Sequence, residues 1–375
     1  MGKNARLWFF TCALTLLGLG SLINVVCAQT STNTPPVPRG IYAFGWGKNF
    51  LDTKAFDLPY IAGMTSYWGW SDLEKEDGVY DFRDIDQLIG LARSKGKIIN
   101  LMFSPGMHAP EWLYRKGVKT SSWEAYWKEE RWEDKGKSRV LTTPLPWDPI
   151  FLDHWKRFVS RIAEKYGSEP ALGYVMITGP VQRGVTTTIA AKRDVDLKQL
   201  EESGYSEQRM LNAWIDIIEH HQKVLGNKRL VLALAMDKRG KPAIRLATDL
   251  ARYVEDKKYT NTSFFVVFLN DTWFRTSNTT RRIRDLLKQA KADGYSFGYQ
   301  MGQSAHRGEK RKKSASIVKS LRDCLAIGIS DGASWIEVWH PDIIAPHGKD
   351  SGTPNAKYVD DLKWAHDALM GNERK

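Results

Sequence analysis

Near the C-terminus, the stretch 333-ASWIEVWHPD-342 puts one carboxylic acid, Glu337, between two indoles, Trp335 and Trp339. Side chains alternate faces along a strand, so these three share one face while Ile336 and Val338 share the other. A carboxyl group pressed against indoles loses water, its charged form is disfavoured, and its pKa should rise toward the range of a general acid. The other reading of Glu337 is a structural acid held by an Arg or Lys. Hydrolysis of a glycosidic bond needs a second carboxyl group, about 5 Å away for retention and roughly 6.5 to 9.5 Å away for inversion. Two acids at the ends of apolar runs could supply it. Asp237 closes 230-LVLALAMD-237, where Ala233, Ala235 and Asp237 share a face opposite Leu232, Leu234 and Met236. Its basic neighbours Lys238, Arg239 and Lys241 could equally hold it as a solvated loop acid. Asp271, in 269-LNDTWF-274, sits beside Trp273, although an Asx turn is a sufficient reason for it. His108, in 104-SPGMHAPEW-112, could serve as a base or position a hydroxyl, or cap a turn; His340 has the same two readings.

Fifteen Trp residues point to sugar rings, whose apolar faces stack on indoles. Trp68, Trp70, Trp112, Trp273, Trp335 and Trp339 are the candidate platforms, with Arg183, Gln300, Arg307 and His340 as candidate polar contacts. The formal net charge of +12 favours anionic partners such as sulfated or uronic polysaccharide. The loop 303-QSAHRGEKRKKSAS-316, with Arg307, Lys310, Arg311, Lys312 and Lys313, is a candidate clamp for sulfate or carboxylate, or simply a solvated charge run. The Trp density favours carbohydrate over nucleic acid, and no nucleic-acid partner is expected. Walker, H-E-x-x-H, paired C-x-x-C and G-x-S-x-G motifs are missing from the sequence, so phosphoryl transfer, zinc proteolysis and serine esterase chemistry have no support. No cofactor or metal is expected.

The elements that must position these residues alternate in kind. Eight short apolar runs, at 40–46, 62–67, 98–103, 172–177, 230–236, 264–269, 295–301 and 333–339, are separated by amphipathic segments such as 82–95, 150–166, 207–225, 280–293 and 315–327. This pattern predicts an α/β fold, a single-domain (β/α)8 TIM barrel, with the site on the loops that follow the strands. A doubly wound open sheet is the alternative, but no glycine-rich nucleotide fingerprint follows the first run. The loop 104–149 carries Trp112, Trp123, Tyr126, Trp127, Trp132 and Trp147. Its length suggests a functional role.

Two segments, 66-SYWGWSDLEKEDGVYDFRDIDQLIGLARSKGKIINLMFSPGMHAPEWL-113 and 145-LPWDPIFLDHWKRFVSRIAEKYGSEPALGYVMITG-179, resemble the clan A glycoside hydrolases. The first is similar to their second strand through the loop after the third, and the second to their helix and fourth strand. The resemblance implies a (β/α)8 barrel acting on glycosidic bonds, with an Asn-Glu acid/base at the end of the fourth strand and a nucleophilic Glu on the seventh. Here the fourth strand ends in Thr178-Gly179, and Gln300 stands near the place of the nucleophile. Neither family carboxylate carries over, which directs attention to Glu337, with Asp237 or Asp271 as its partner.

The first 28 residues combine Lys3 and Arg6, an apolar run and a Val26-Cys27-Ala28 end, as a signal peptide cleaved after Ala28 would. The apolar run is shorter than the roughly 20 residues of a spanning helix, so no stable membrane span is expected; lipid attachment at Cys27 is a further option. A Thr- and Pro-rich linker, 29–39, should lead into a barrel domain over 40–375. Cys324 alone would remain after cleavage, leaving no internal disulfide. The leading reading is a secreted or periplasmic glycoside hydrolase-like enzyme for polysaccharide or oligosaccharide. The alternatives are a carbohydrate-binding barrel without turnover and a lyase that uses a base such as His108 for β-elimination on a uronic substrate.

Overall fold

The computed structural model describes residues 34–126, 138–189, 194–235, 242–310, 318–347, 349 and 351–371. Eight strands close a parallel barrel: β1 Gly40–Trp46, β2 Gly63–Gly69, β3 Ile98–Ser104, β4 Leu172–Ile177, β5 Arg229–Ala233, β6 Thr262–Leu269, β7 Phe297–Met301 and β8 Trp335–Trp339. Each strand pairs with its neighbours in chain order. β8 then closes on β1, with Gly40 opposite Trp335 and Phe44 opposite Trp339. All eight expected runs are barrel strands, so the TIM barrel is the fold and the open sheet is excluded.

Alternation along the strands sorts the core into two layers. Inward positions supply Tyr42, Phe44, Met102, Tyr174, Met176, Val231, Ala233, Phe265 and Trp335. Outward positions such as Ile41, Ala43, Leu230, Leu232, Ile336 and Val338 pack under the helices. One glycine is required by this filling: a Cβ on Gly298 would lie 2.1 Å from the indole of Trp335. The helix Pro149–Tyr166 shows why the outer ring forms where it does. Asp148 caps it by accepting from the Phe151 amide at 3.1 Å, Pro149 fits the first turn, and Phe151, Trp155, Phe158, Val159 and Ile162 fall on one buried stripe. The helix expected at 315–327 is found at Leu321–Asp331. Ser320 caps its start by accepting from the Asp323 amide, and Gly332, at φ 87°, ends it in the left-handed region.

The segment expected as one long loop after β3 is largely ordered secondary structure: a short helix Glu111–Arg115 and a hairpin of Thr120–Tyr126 with Ser138–Pro144. Trp123 is buried there and donates to Thr143 Oγ1 at 3.1 Å. Of the expected lead-in, residues 34–39 belong to the same compact unit as the barrel. Pro35 accepts a hydrogen bond from Arg229 at the start of β5, opposite β1 in the barrel, so this strap crosses the N-terminal face. The expected leader 1–28 lies outside the described residues. Among those described, no helix is long and apolar enough to cross a membrane, and no cluster of His, Cys, Asp and Glu could hold a metal ion.

Candidate functional site

Glu337 lies midway along β8, faces inward and is fully buried. Barrel interiors fill in layers drawn from alternate strands, and Glu337 meets Thr65 of β2 and Tyr174 of β4. Both hydroxyls donate to its Oε1, Thr65 at 2.7 Å. Asn100 of β3 orients the pair: its Nδ2 donates to Thr65 Oγ1 at 3.2 Å and its Oδ1 accepts from the Tyr174 amide at 3.2 Å. Burial pushes the Glu337 pKa up to about 8, while the Tyr174 and Thr65 hydrogen bonds pull the other way. The carboxyl is therefore predominantly protonated at neutral pH. Since both donors converge on Oε1, the proton belongs on Oε2, which has no hydrogen-bond partner among the described residues.

Along β8, Trp335 forms the floor beneath this acid, fully buried and stacked on Phe265 with ring centroids 5.7 Å apart. Trp339 lies toward the mouth, half-buried, its indole N–H donating to Met301 O at 2.7 Å and its ring edge-on to Phe44 at 4.8 Å. Gln300, the β7 register partner of Glu337, is 6% exposed, and its Nε2 has no hydrogen-bond partner among the described residues. The level above the acid is apolar, with Phe44, Met102 and Met176 joined by Val185 from the chain that follows β4. That chain is tied down at both sides. Ser104 Oγ donates to Gly184 O at 3.5 Å, the Thr187 amide donates to Ala233 O at 3.1 Å, and Thr187 Oγ1 accepts from the Ala235 amide at 2.9 Å. Val185, 5% exposed, thus lies over the end of β4, between the ends of β3 and β5. Glu337, midway along β8, lies deeper than the strand ends.

Several expected site residues do other work. Trp68, Trp70 and Trp112, at most 2% exposed, offer no face to a sugar. The parity of β2 turns Tyr67 inward and Trp68 outward, where its N–H donates to Ser66 Oγ at 3.0 Å. Trp70 donates to Glu74 Oε2 at 2.7 Å and Trp112 to Glu74 O at 3.0 Å, locking the two rings edge-on. Trp335, fully buried, is likewise a core ring. Asp271 spends both oxygens on the Lys319 and Ser320 amides, each at 3.0 Å, so it anchors the helix Leu321–Asp331 and does not face Glu337. The Asx-type turn belongs to Asn270, whose Oδ1 accepts from the Trp273 amide; Trp273 is half-buried. His340 shares a hydrogen bond with Thr53 Oγ1 at 2.8 Å and stacks on Phe50 at 4.1 Å. Burial lowers its pKa to about 4, so it is a neutral clamp on the β1–β2 connection. Asp237 lies outside the described residues, as do Arg311, Lys312 and Lys313.

Three expected residues stay at the rim. Arg183 is half-buried in the chain after β4, and Arg307 is exposed on the helix Ala305–Lys310. The buried Asp342 caps that helix by accepting from the Ala305 and His306 amides at 2.9 and 2.8 Å. His108 is half-buried, hydrogen-bonded through Nδ1 to Ser104 Oγ at 2.9 Å; burial lowers its pKa, and Asp72 opposes that. Thr65, Asn100 and Tyr174, which hold Glu337, and Trp46, at the end of β1, were not among the expected residues. Inward parity on β2, β3 and β4 was the available signal for the first three.

A family model described as β-galactosidase, glycoside hydrolase family 42, matches residues 52–215, a span that includes β2, β3 and β4. No curated protein matches the chain. Among solved structures, xylanase 10B from Thermotoga petrophila RKU-1, in complex with xylobiose, is similar at 11% identity and TM-score 0.49, over 89% of this chain and 94% of that one. Xylanase 10C from Cellvibrio japonicus is similar at 11% identity and TM-score 0.49, over 90% and 71%. Xylanase 10B from Thermotoga maritima gives 10% and 0.49, over 89% and 95%. The strand pairing itself defines the (β/α)8 barrel, and the part of it within residues 52–215 is similar to the glycoside hydrolase family model.

Proposed function

We propose that the protein is a glycoside hydrolase-like enzyme that cleaves glycosidic bonds in an anionic polysaccharide or oligosaccharide, exported after cleavage behind Ala28. The observation that carries this reading is Glu337, a neutral acid whose Oε2 proton has no acceptor among the described residues. As the glycosidic C–O bond breaks, Oε2–H would pass its proton to the leaving oxygen. The two hydroxyls on Oε1 would then stabilise the carboxylate left behind, as a general acid requires. Asp237, four residues beyond the end of β5 in the sequence, is the proposed base that activates water at the anomeric carbon. Sugar reaches Oε2 in this reading from the C-terminal ends of the strands, past Val185, with the Gln300 amide as a polar neighbour of the acid.

A panel of sulfated, uronic and neutral polysaccharides assayed for new reducing ends tests the proposal. Wild type should release them from at least one substrate, and Glu337→Gln, which keeps the shape but cannot give up a proton, should release none. Full activity in E337Q would refute the assignment. The complete burial of Glu337 favours a second reading, a carbohydrate-binding barrel without turnover; measured sugar binding with no new ends from any substrate would establish it.

A further inference from the structure

Of the tryptophans among the described residues, Trp46 alone is exposed, at 40%, and it lies at the C-terminal end of β1, on the rim of the mouth. It is held in place. Tyr67 of β2 meets it edge-on at 4.5 Å and 85°, and His108 from the chain after β3 does so at 5.4 Å and 77°. Neither neighbour lies parallel to the indole, so neither covers a whole face. The same rim carries a polar edge. Lys48, two residues on, pairs with Asp72 at 2.9 Å, and both side chains are partly exposed. Asp72 and His108 stand side by side over Gly69: a Cβ there would lie 3.1 Å from Asp72 Oδ2 and 3.2 Å from His108. A fixed, exposed aromatic face beside hydrogen-bonding groups is a costly surface in water and a suitable one for an amphipathic ring.

We infer that Trp46, Tyr67 and His108, with the Lys48–Asp72 pair, form a rim subsite for a neutral pyranose residue, separate from the buried Glu337. The C–H face of the sugar lies on the indole, and its equatorial hydroxyls meet Asp72 and Lys48. The charges of that pair cancel, so the subsite selects ring shape and hydroxyls, and anionic groups of a longer chain are left to Arg183 and Arg307. The inference rests on the carbohydrate reading, and it needs no turnover.

Calorimetric titration of the full chain carrying Glu337→Gln tests it, with cellohexaose, xylohexaose and mannohexaose as neutral probes and a heparin hexasaccharide as the anionic one. At least one neutral probe should bind. Adding Trp46→Ala should weaken that binding about tenfold or more, while Trp46→Phe, which keeps a ring for stacking, should weaken it less. An unchanged urea midpoint and far-ultraviolet dichroism in both variants separate a lost platform from a lost fold; if Trp46→Ala lowers the midpoint, the comparison between Trp46→Phe and the parent decides. No binding of any neutral probe, or equal binding with and without Trp46, overturns the subsite. Turnover failure in wild type with Trp46-dependent binding intact would remove the catalytic reading and leave the subsite standing.

Discussion

Glu337→Gln separates the charge of the buried acid from its shape, and its effect on stability has a definite sign. Burial raises the folded pKa from 4.5 to about 8, so the folded chain keeps a proton that the unfolded chain releases above about pH 4.5. The stability linked to this group is fully present below that pH and is lost progressively as pH rises to about 8. At about 1.4 kcal/mol per pH unit, the loss is on the order of 5 kcal/mol. The Gln variant stays neutral throughout and keeps an oxygen to accept from Thr65 and Tyr174, so this slope disappears. Near pH 5 the two proteins should differ by about 1 kcal/mol, the net worth of an ordinary hydrogen bond. Above pH 8 the variant should be the more stable by several kcal/mol. Urea denaturation of both full chains from pH 5 to 9 measures this directly. Buried histidines such as His221 and His340, both lowered to about 4 by burial, contribute the opposite slope, but equally in the two proteins. Curves that stay parallel across the range would refute the neutral buried carboxyl, and with it the proton proposed for catalysis.

Asp271→Ala should cost about 1 to 2 kcal/mol in the urea midpoint, as the loss of a helix-start acceptor does, while sugar binding is unchanged; lost turnover at full stability would return Asp271 to the site. Asp331→Ala should be more severe, about 3 to 5 kcal/mol, because it leaves Arg284 and Lys288 without their buried partner and the Tyr299 hydroxyl without its acceptor. A midpoint within about 0.5 kcal/mol of wild type, the range of an ordinary surface substitution, would show that the pair is solvated.

The barrel was legible because a parallel strand buried on both faces is a short, nearly continuous apolar run, and eight such runs stand apart from the amphipathic helices. The face of Glu337 was legible for a local reason: strand parity needs only its neighbours Trp335 to Trp339. Depth was not, since the inner cluster around it includes Val185, a residue more than a hundred positions away in the sequence. Adjacent aromatics fared worst. Tyr67 and Trp68 differ by one place, and the register of β2 alone decides which of them faces the interior. Asp271 reads as a rim acid until the Lys319 and Ser320 amides, 48 and 49 positions on, are brought to it.

Pro35 precedes the first strand, yet its carbonyl is gripped by Arg229 of β5, whose guanidinium also holds Thr260 just before β6. During synthesis this strap stays unfastened until residue 229 has emerged, on the order of tens of seconds at roughly 5 to 20 residues per second. β1 waits longer still, because its second partner is β8. A chain that stops after β7 therefore presents two bare strand edges to its neighbours, and the foreseeable product of such truncation is aggregate in place of a smaller barrel.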